Sequence, residues 1–124
     1  MNPYHQIEVL QDVYLEDSFV RSIVYDRNAI VFQLDLVLLE CHAQYSAPKP
    51  SEEYCYRLAD LRFERLARVV WNKIYMKASI DADNEIDFGN IDSFQSHQGA
   101  FFLSGDWGEL EVQCSDLELI IHPL

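Results

Sequence analysis

The sequence predicts a mainly β, single-domain protein, an antiparallel β-sandwich or partly open barrel with a short N-terminal helix. Three observations carry this prediction. Apolar and polar residues alternate over most of the chain, the period of half-buried strands. Turn-forming residues recur about every 8–12 positions, as in antiparallel sandwiches and barrels. A length of 124 residues with 49% hydrophobic content suits one core, burying roughly two-thirds of the surface the unfolded chain exposes.

Taken in order, Asn2 offers an N-cap oxygen and Pro3 a first-turn residue without an amide proton, while Ile7, Leu10 and Tyr14 continue one helical stripe. These predict the short helix. The period then becomes two. Phe19, Ile23 and Tyr25 share one face, Ile30, Phe32, Leu34, Leu36 and Leu38 share the face of the next run, and Asp26, Arg27 and Asn28 turn the chain between them. Residues 42–53 hold two prolines among small and polar residues, a surface loop. Tyr54, Tyr56 and Leu58 start another strand.

Residues 63–74 admit two patterns. Phe63, Leu66, Ala67, Val70 and Ile74 fit a helical stripe, whereas Ala67, Val69 and Trp71 alternate; the β-branched and aromatic content favours a pair of strands. Near the end, Gly105 and Gly108 flank Asp106 and Trp107 between an aromatic run and the alternating Leu110, Val112 and Cys114. This predicts a tight hairpin with both glycines at positive φ. Leu117, Leu119 and Ile121 alternate once more before His122 and Pro123. The total is about eight or nine short strands.

Charge narrows the function. Against 9 basic residues stand 21 acidic ones, a formal net charge of -12. Nucleic acids and anionic membrane surfaces are bound by Lys and Arg, so neither is an expected partner. The local basic cluster of Arg57, Arg62, Arg65 and Arg68 is diluted by Asp60 and Glu64. An acidic surface steers a basic protein towards itself instead. The amino end has no cationic start followed by an apolar run, and no stretch approaches the ~20 apolar residues of a membrane helix. A cytoplasmic location is expected. Cys41, Cys55 and Cys114 lack close spacing and read as buried, reduced thiols.

Residues 81–92, DADNEIDFGNID, carry five carboxylates. Their oxygens match an EF-hand loop at Asp81, Asp83, Glu85, Asp87 and Asp92. However, Ile86 stands where that loop needs glycine, the twelfth position is Asp rather than Glu, and no helical stripe follows. A turn at Ala82, Asp83 and Asn84 is favoured, followed by a strand with Ile86, Phe88 and Ile91 facing inward and Glu85 and Asp87 facing water. A carboxylate-rich metal-binding or hydrolytic domain built on this loop is the alternative function. No metal or cofactor site is otherwise predicted: Cys41, His42, Cys55 and one of His5, His97 or His122 are too scattered for a zinc set. Pairs drawn from Asp17, Asp87, Asp92 and Asp106 arise readily in so acidic a chain. Ser104 lies outside any nucleophile-elbow pattern.

Trp107 at its hairpin tip either folds back onto the core, the favoured alternative, or stands out as an interface anchor. In the second case Asp106, Glu109, Asp83 and Glu85 form its acidic rim, and these five residues are the candidate partner-binding set. Three pieces, YLEDS (Tyr14 to Ser18), DFGNID (Asp87 to Asp92) and LSGDWGELEV (Leu103 to Val112), resemble a group of small uncharacterised bacterial all-β proteins. Small acidic domains of this kind are also similar to the immunity proteins of polymorphic toxins, which cover a toxin's active face. The resemblance implies a non-enzymatic, acidic protein-binding module. A homodimer through exposed strand edges is a further arrangement the sequence allows.

Overall fold

A computed structural model describes residues 2–75, 79–80 and 86–123. Among these residues nine strands follow in order: β1 (Asn2–Pro3), β2 (Val13–Asp26), β3 (Ala29–Leu38), β4 (Cys55–Ile74), β5 (Ser79–Ile80), β6 (Ile86–Asp87), β7 (Ile91–His97), β8 (Ala100–Gly105) and β9 (Gly108–Ile121). Seven form one antiparallel sheet in the order β1-β7-β8-β9-β4-β3-β2, and β5 and β6 make a separate ribbon. Among the described residues, no ladder closes the main sheet. Its ends nevertheless approach: the Val20 amide donates to the Gly89 carbonyl (2.7 Å) and the Phe88 amide to the Val20 carbonyl (2.8 Å).

The N-terminal helix does not form. Tyr4–Gln6 and Glu8–Leu10 are single 3-10 turns, separated by Ile7 in an extended conformation. Asn2 and Pro3 are recruited as strand partners of Ser96 and Gln95, so they cannot cap a helix. Burial is satisfied anyway, since Tyr4 and Leu10 enter the core from the two turns.

The β2–β3 hairpin turns at Arg27 and Asn28, with Arg27 at φ 58. As predicted, Ile30, Phe32, Leu34, Leu36 and Leu38 are buried. Phe19 does not share a face with Ile23. The register slips between Val20 and Ser22, and a bulge of this kind moves the following side chains to the other face. A larger irregularity between Tyr14 and Phe19 is bridged by the buried Ser18. Its hydroxyl donates to the Tyr14 carbonyl (2.6 Å) and accepts from the Val37 amide (2.9 Å). Ser18→Ala orphans that buried amide, so chemical denaturation should show a loss of about 1–3 kcal/mol.

Residues 63–74 are extended, as favoured, but belong to a single 20-residue strand rather than a pair. The strand begins with Cys55, Ala59, Leu61 and Phe63 pointing inward, so Tyr54, Tyr56 and Leu58 lie on the outer face. Arg65 at φ 54 and a register shift between Leu66 and Arg68 then re-aim it, and Leu66, Val69 and Trp71 pack on the core. Arg57 also points inward, 8% exposed; its guanidinium donates to the carbonyls of His122 (2.6 Å) and Gln44 (3.4 Å). The core centre is aromatic: Phe32 lies edge-on to Phe63 and Trp107, and Phe63 stacks on Phe94.

Candidate interaction surface

The three sequence pieces YLEDS, DFGNID and GDWG meet around Asn90. Its side-chain amide donates to the Glu16 carbonyl (2.7 Å), and its own carbonyl accepts from Trp107 Nε1 (3.0 Å). Trp107 is completely buried, against Phe32 and Trp71. It therefore folds back and offers no anchor to a partner. Of the remaining tip residues, Asp106 is exposed, while Glu109 is half-buried and pairs with Lys73 at 3.5 Å. Gly108 has the predicted positive φ of 139, but Gly105 does not. At Gly105 glycine is required for space, because a Cβ would collide with the Asn90 carbonyl and the Trp107 indole.

Of the acidic stretch, Asp81, Asp83 and Glu85 lie outside the described residues, as does the turn at 82–84. Ile86 and Asp87 form β6. Asp87 is occupied locally: its Oδ1 accepts from the Gly89 amide at 2.8 Å, a turn-type hydrogen bond. Ile91 is buried and Phe88 packs on the core, as predicted, but the predicted strand is interrupted, since β6 ends at Asp87 and β7 begins at Ile91. Among the described residues, no three His, Cys, Asp or Glu side chains group to hold a metal ion.

The surface that stands out lies elsewhere, on the outer face of β2, β3 and β4. Tyr14, Val37 and Tyr56 share one row across the three strands, and Phe19, Asp35 and Leu58 share the next. Ring contacts run continuously from Tyr14 to Tyr54 (6.4 Å), Tyr54 to Tyr56 (6.0 Å) and Tyr56 to the stacked Phe19 (6.1 Å). This layer covers Val37 completely, yet Phe19, Leu58 and the neighbouring Ile120 remain 38%, 39% and 40% exposed.

Carboxylates surround the strip. Asp17 accepts from the Tyr54 hydroxyl at 2.8 Å, and Asp35 is held by Arg21 at 2.8 Å. The Asp17 hydrogen bond pushes the Tyr54 phenol up to about 12. Burial raises Tyr56, and the charges of Asp17, Glu53, Glu52 and Asp35 add to the effect. The strip thus lies in a negative field that disfavours any further anion.

A folded-state pKa above the ordinary value of about 10 contributes stability fully present below that pH and lost as pH rises towards 12. Ultraviolet titration should therefore show Tyr54 ionising late. Asp17→Asn removes the charge and should bring it back down; an unchanged curve would refute the contact.

The sequence pattern concealed this face, because Tyr54, Tyr56, Leu58 and Phe19 alternate as core-facing residues do. The available signal was the inverse phase: Cys55, Ala59, Leu61 and Phe63 also alternate and are the buried set.

Two other features are chemically quieter. An open cleft of about 420 Å³ between the β2–β3 turn and the β4 bulge is lined by Asp26, Arg27, Arg62, Glu64 and Arg65. Asp26 and Glu64 both engage Arg62, raising its pKa through their hydrogen bonds, and Arg65 pairs with Asp116. The three cysteines are free thiols, but only Cys55 is buried; Cys41 is exposed and Cys114 half-buried, its thiol pushed up to about 11 by burial. No helix among the described residues is long and apolar enough to cross a membrane. Comparison with protein-family models, curated proteins and solved structures returns no match to this chain.

Proposed function

We propose that the protein is a non-enzymatic acidic binding module, that its partner is a basic protein, and that it acts as an immunity-like inhibitor covering a toxin's cationic face. The observation that carries this reading is the aromatic strip of Tyr14, Tyr54, Tyr56 and Phe19 set among Asp17, Asp35, Glu52 and Glu53. Aromatic rings receive Arg and Lys side chains through cation–π contacts worth about 0.5–2 kcal/mol each. Tyrosines are also enriched among the few residues that dominate interface energy. The net charge of -12 adds long-range attraction to a cationic partner.

The test is titration against a panel of basic nuclease toxin domains at several salt concentrations. Affinity should fall as salt rises. Tyr56→Ala and Phe19→Ala should each weaken binding by about tenfold, or 1.4 kcal/mol. Asp106→Asn, at the hairpin tip, should leave it nearly unchanged. Absence of salt-sensitive binding across the panel, or binding indifferent to Tyr56 and Phe19, would overturn the proposal.

A further inference from the structure

Among the described residues, the edge of the sheet next to this face has no strand partner along half of β9, although the Glu8–Leu10 turn lies against that strand. β8 pairs with β9 through Gly108–Gln113, after which β9 is paired on its β4 side alone. The His122 amide donates to the Leu58 carbonyl at 2.9 Å. Antiparallel partners alternate between hydrogen-bonded and non-bonded pairs, so Glu118 and Ile120 also turn their main-chain groups towards β4. Leu117, Leu119 and Ile121 turn theirs outward, where no described residue pairs with them. Their side chains are half-buried on the core side, while Asp116, Glu118 and Ile120 occupy the outer face.

We propose that this edge receives an extended basic segment of the partner by strand addition, an inference that rests on the acidic-module reading. An added strand would continue the apolar row of Leu117, Leu119 and Ile121 on one side. On the other it would set its alternate residues beside Asp116 and Glu118, where lysine or arginine gains a cross-strand ion pair. A second copy of β9 fits badly, because antiparallel self-pairing sets acids against acids, a device by which open edges resist self-association.

Crowding of charge along this row is already evident, since hydrogen bonding to Glu64 raises the Glu118 carboxyl and a nearby cation would relieve it. The Arg65–Asp116 pair is exposed, and exposed ion pairs are weak enough to exchange for another cation. Leu58 and Ile120 carry the exposed apolar surface from the aromatic strip up to this edge.

The experiment is residue-resolved amide exchange on the full chain by NMR, with a synthetic peptide of alternating valine and lysine as probe. A matched peptide is N-methylated on the residues that would face β9. In the free protein the amides of Leu117, Leu119 and Ile121 should exchange much faster than those of Glu118 and Ile120. The unmodified peptide should slow the first set by about tenfold or more, the methylated one should not, and Glu118→Lys should abolish the effect.

Slow exchange of the first set without peptide, protection that grows with protein concentration alone, or equal protection by both peptides would overturn the inference. The two proposals separate cleanly. If a basic toxin domain binds in a Tyr56-dependent way while the edge amides stay unprotected, strand addition fails and the outer-face reading stands. Edge protection by the peptide with no toxin domain bound would sustain strand addition and sink the toxin-inhibitor reading.

Discussion

Trp107→Ala should cost about 3–5 kcal/mol of stability, the range for emptying a buried aromatic site. The indole is wholly inaccessible, sits edge-on to Phe32 with ring centres 5.2 Å apart, and meets Trp71 nearly perpendicularly at 6.0 Å. Truncation opens a cavity and also leaves the Asn90 carbonyl without its indole donor at 3.0 Å. Denaturant unfolding followed by circular dichroism reads the loss as a lower midpoint at unchanged slope. Trp107→Phe should lie between, keeping most of the volume but not the hydrogen bond. Asp106→Asn on the same tip is a surface change and should stay within about 0.5 kcal/mol. If Trp107→Ala were as mild as Asp106→Asn, the indole would not be a core group and the hairpin tip would return as a candidate anchor.

The position of the indole also explains why three short stretches of the sequence look distinctive. YLEDS supplies the irregular stretch of β2 and the Glu16 carbonyl, DFGNID supplies Gly89 and Asn90, and GDWG supplies the indole. They meet where the two ends of the sheet approach each other, between Val20 and residues 88–89. Unusual residues concentrate there because a seam without a continuous ladder must satisfy its main-chain groups by side chains and close glycine approaches. A sequence pattern that resembles a site can thus be the closure of a fold. The proposed interaction surface uses Tyr14 and Asp17 from the first piece but otherwise lies away from this seam.

Much of the β architecture was legible because period-two alternation survives wherever the ladder is regular. β3 shows this best, with five alternate residues from Ile30 to Leu38 all buried. Legibility failed at the bulges. Phe19 and Ile23 appear in phase along the sequence, but the slip between Val20 and Ser22 separates them. Along β4 the shift near Arg65 spaces the inward residues Phe63, Leu66 and Val69 by three. Three-residue spacing is what a helix produces, which drew Phe63 and Leu66 into the apparent helical stripe, although its other members, Ala67, Val70 and Ile74, do not pack on the core. The aromatic face was hidden for a related reason: Tyr54, Tyr56 and Leu58 alternate as well as the residues between them, and alternation does not say which phase is inside. The N-terminal turns failed differently, since Pro3 suits a helix start locally while pairing with Gln95 holds it extended.

Gly108→Ala should be comparably severe, at about 2–6 kcal/mol, because two costs combine. Gly108 has φ 139, a conformation other residues enter only with strain of about 1–3 kcal/mol. An added Cβ would also press into the Lys73 carbonyl oxygen, where the start of β9 passes the end of β4 opposite Ile74; overpacking of that kind costs about another 1–3 kcal/mol. Gly99→Ala separates the two contributions. Gly99 has φ 82 in the turn between β7 and β8, and a Cβ there meets nothing within 4 Å, so it bears the conformational cost alone. Denaturation of the two variants side by side should show Gly108→Ala the worse by the overpacking amount. Equal losses would mean that β9 does not start hard against β4, and the backbone that aims Trp107 into the core would then have to be held some other way.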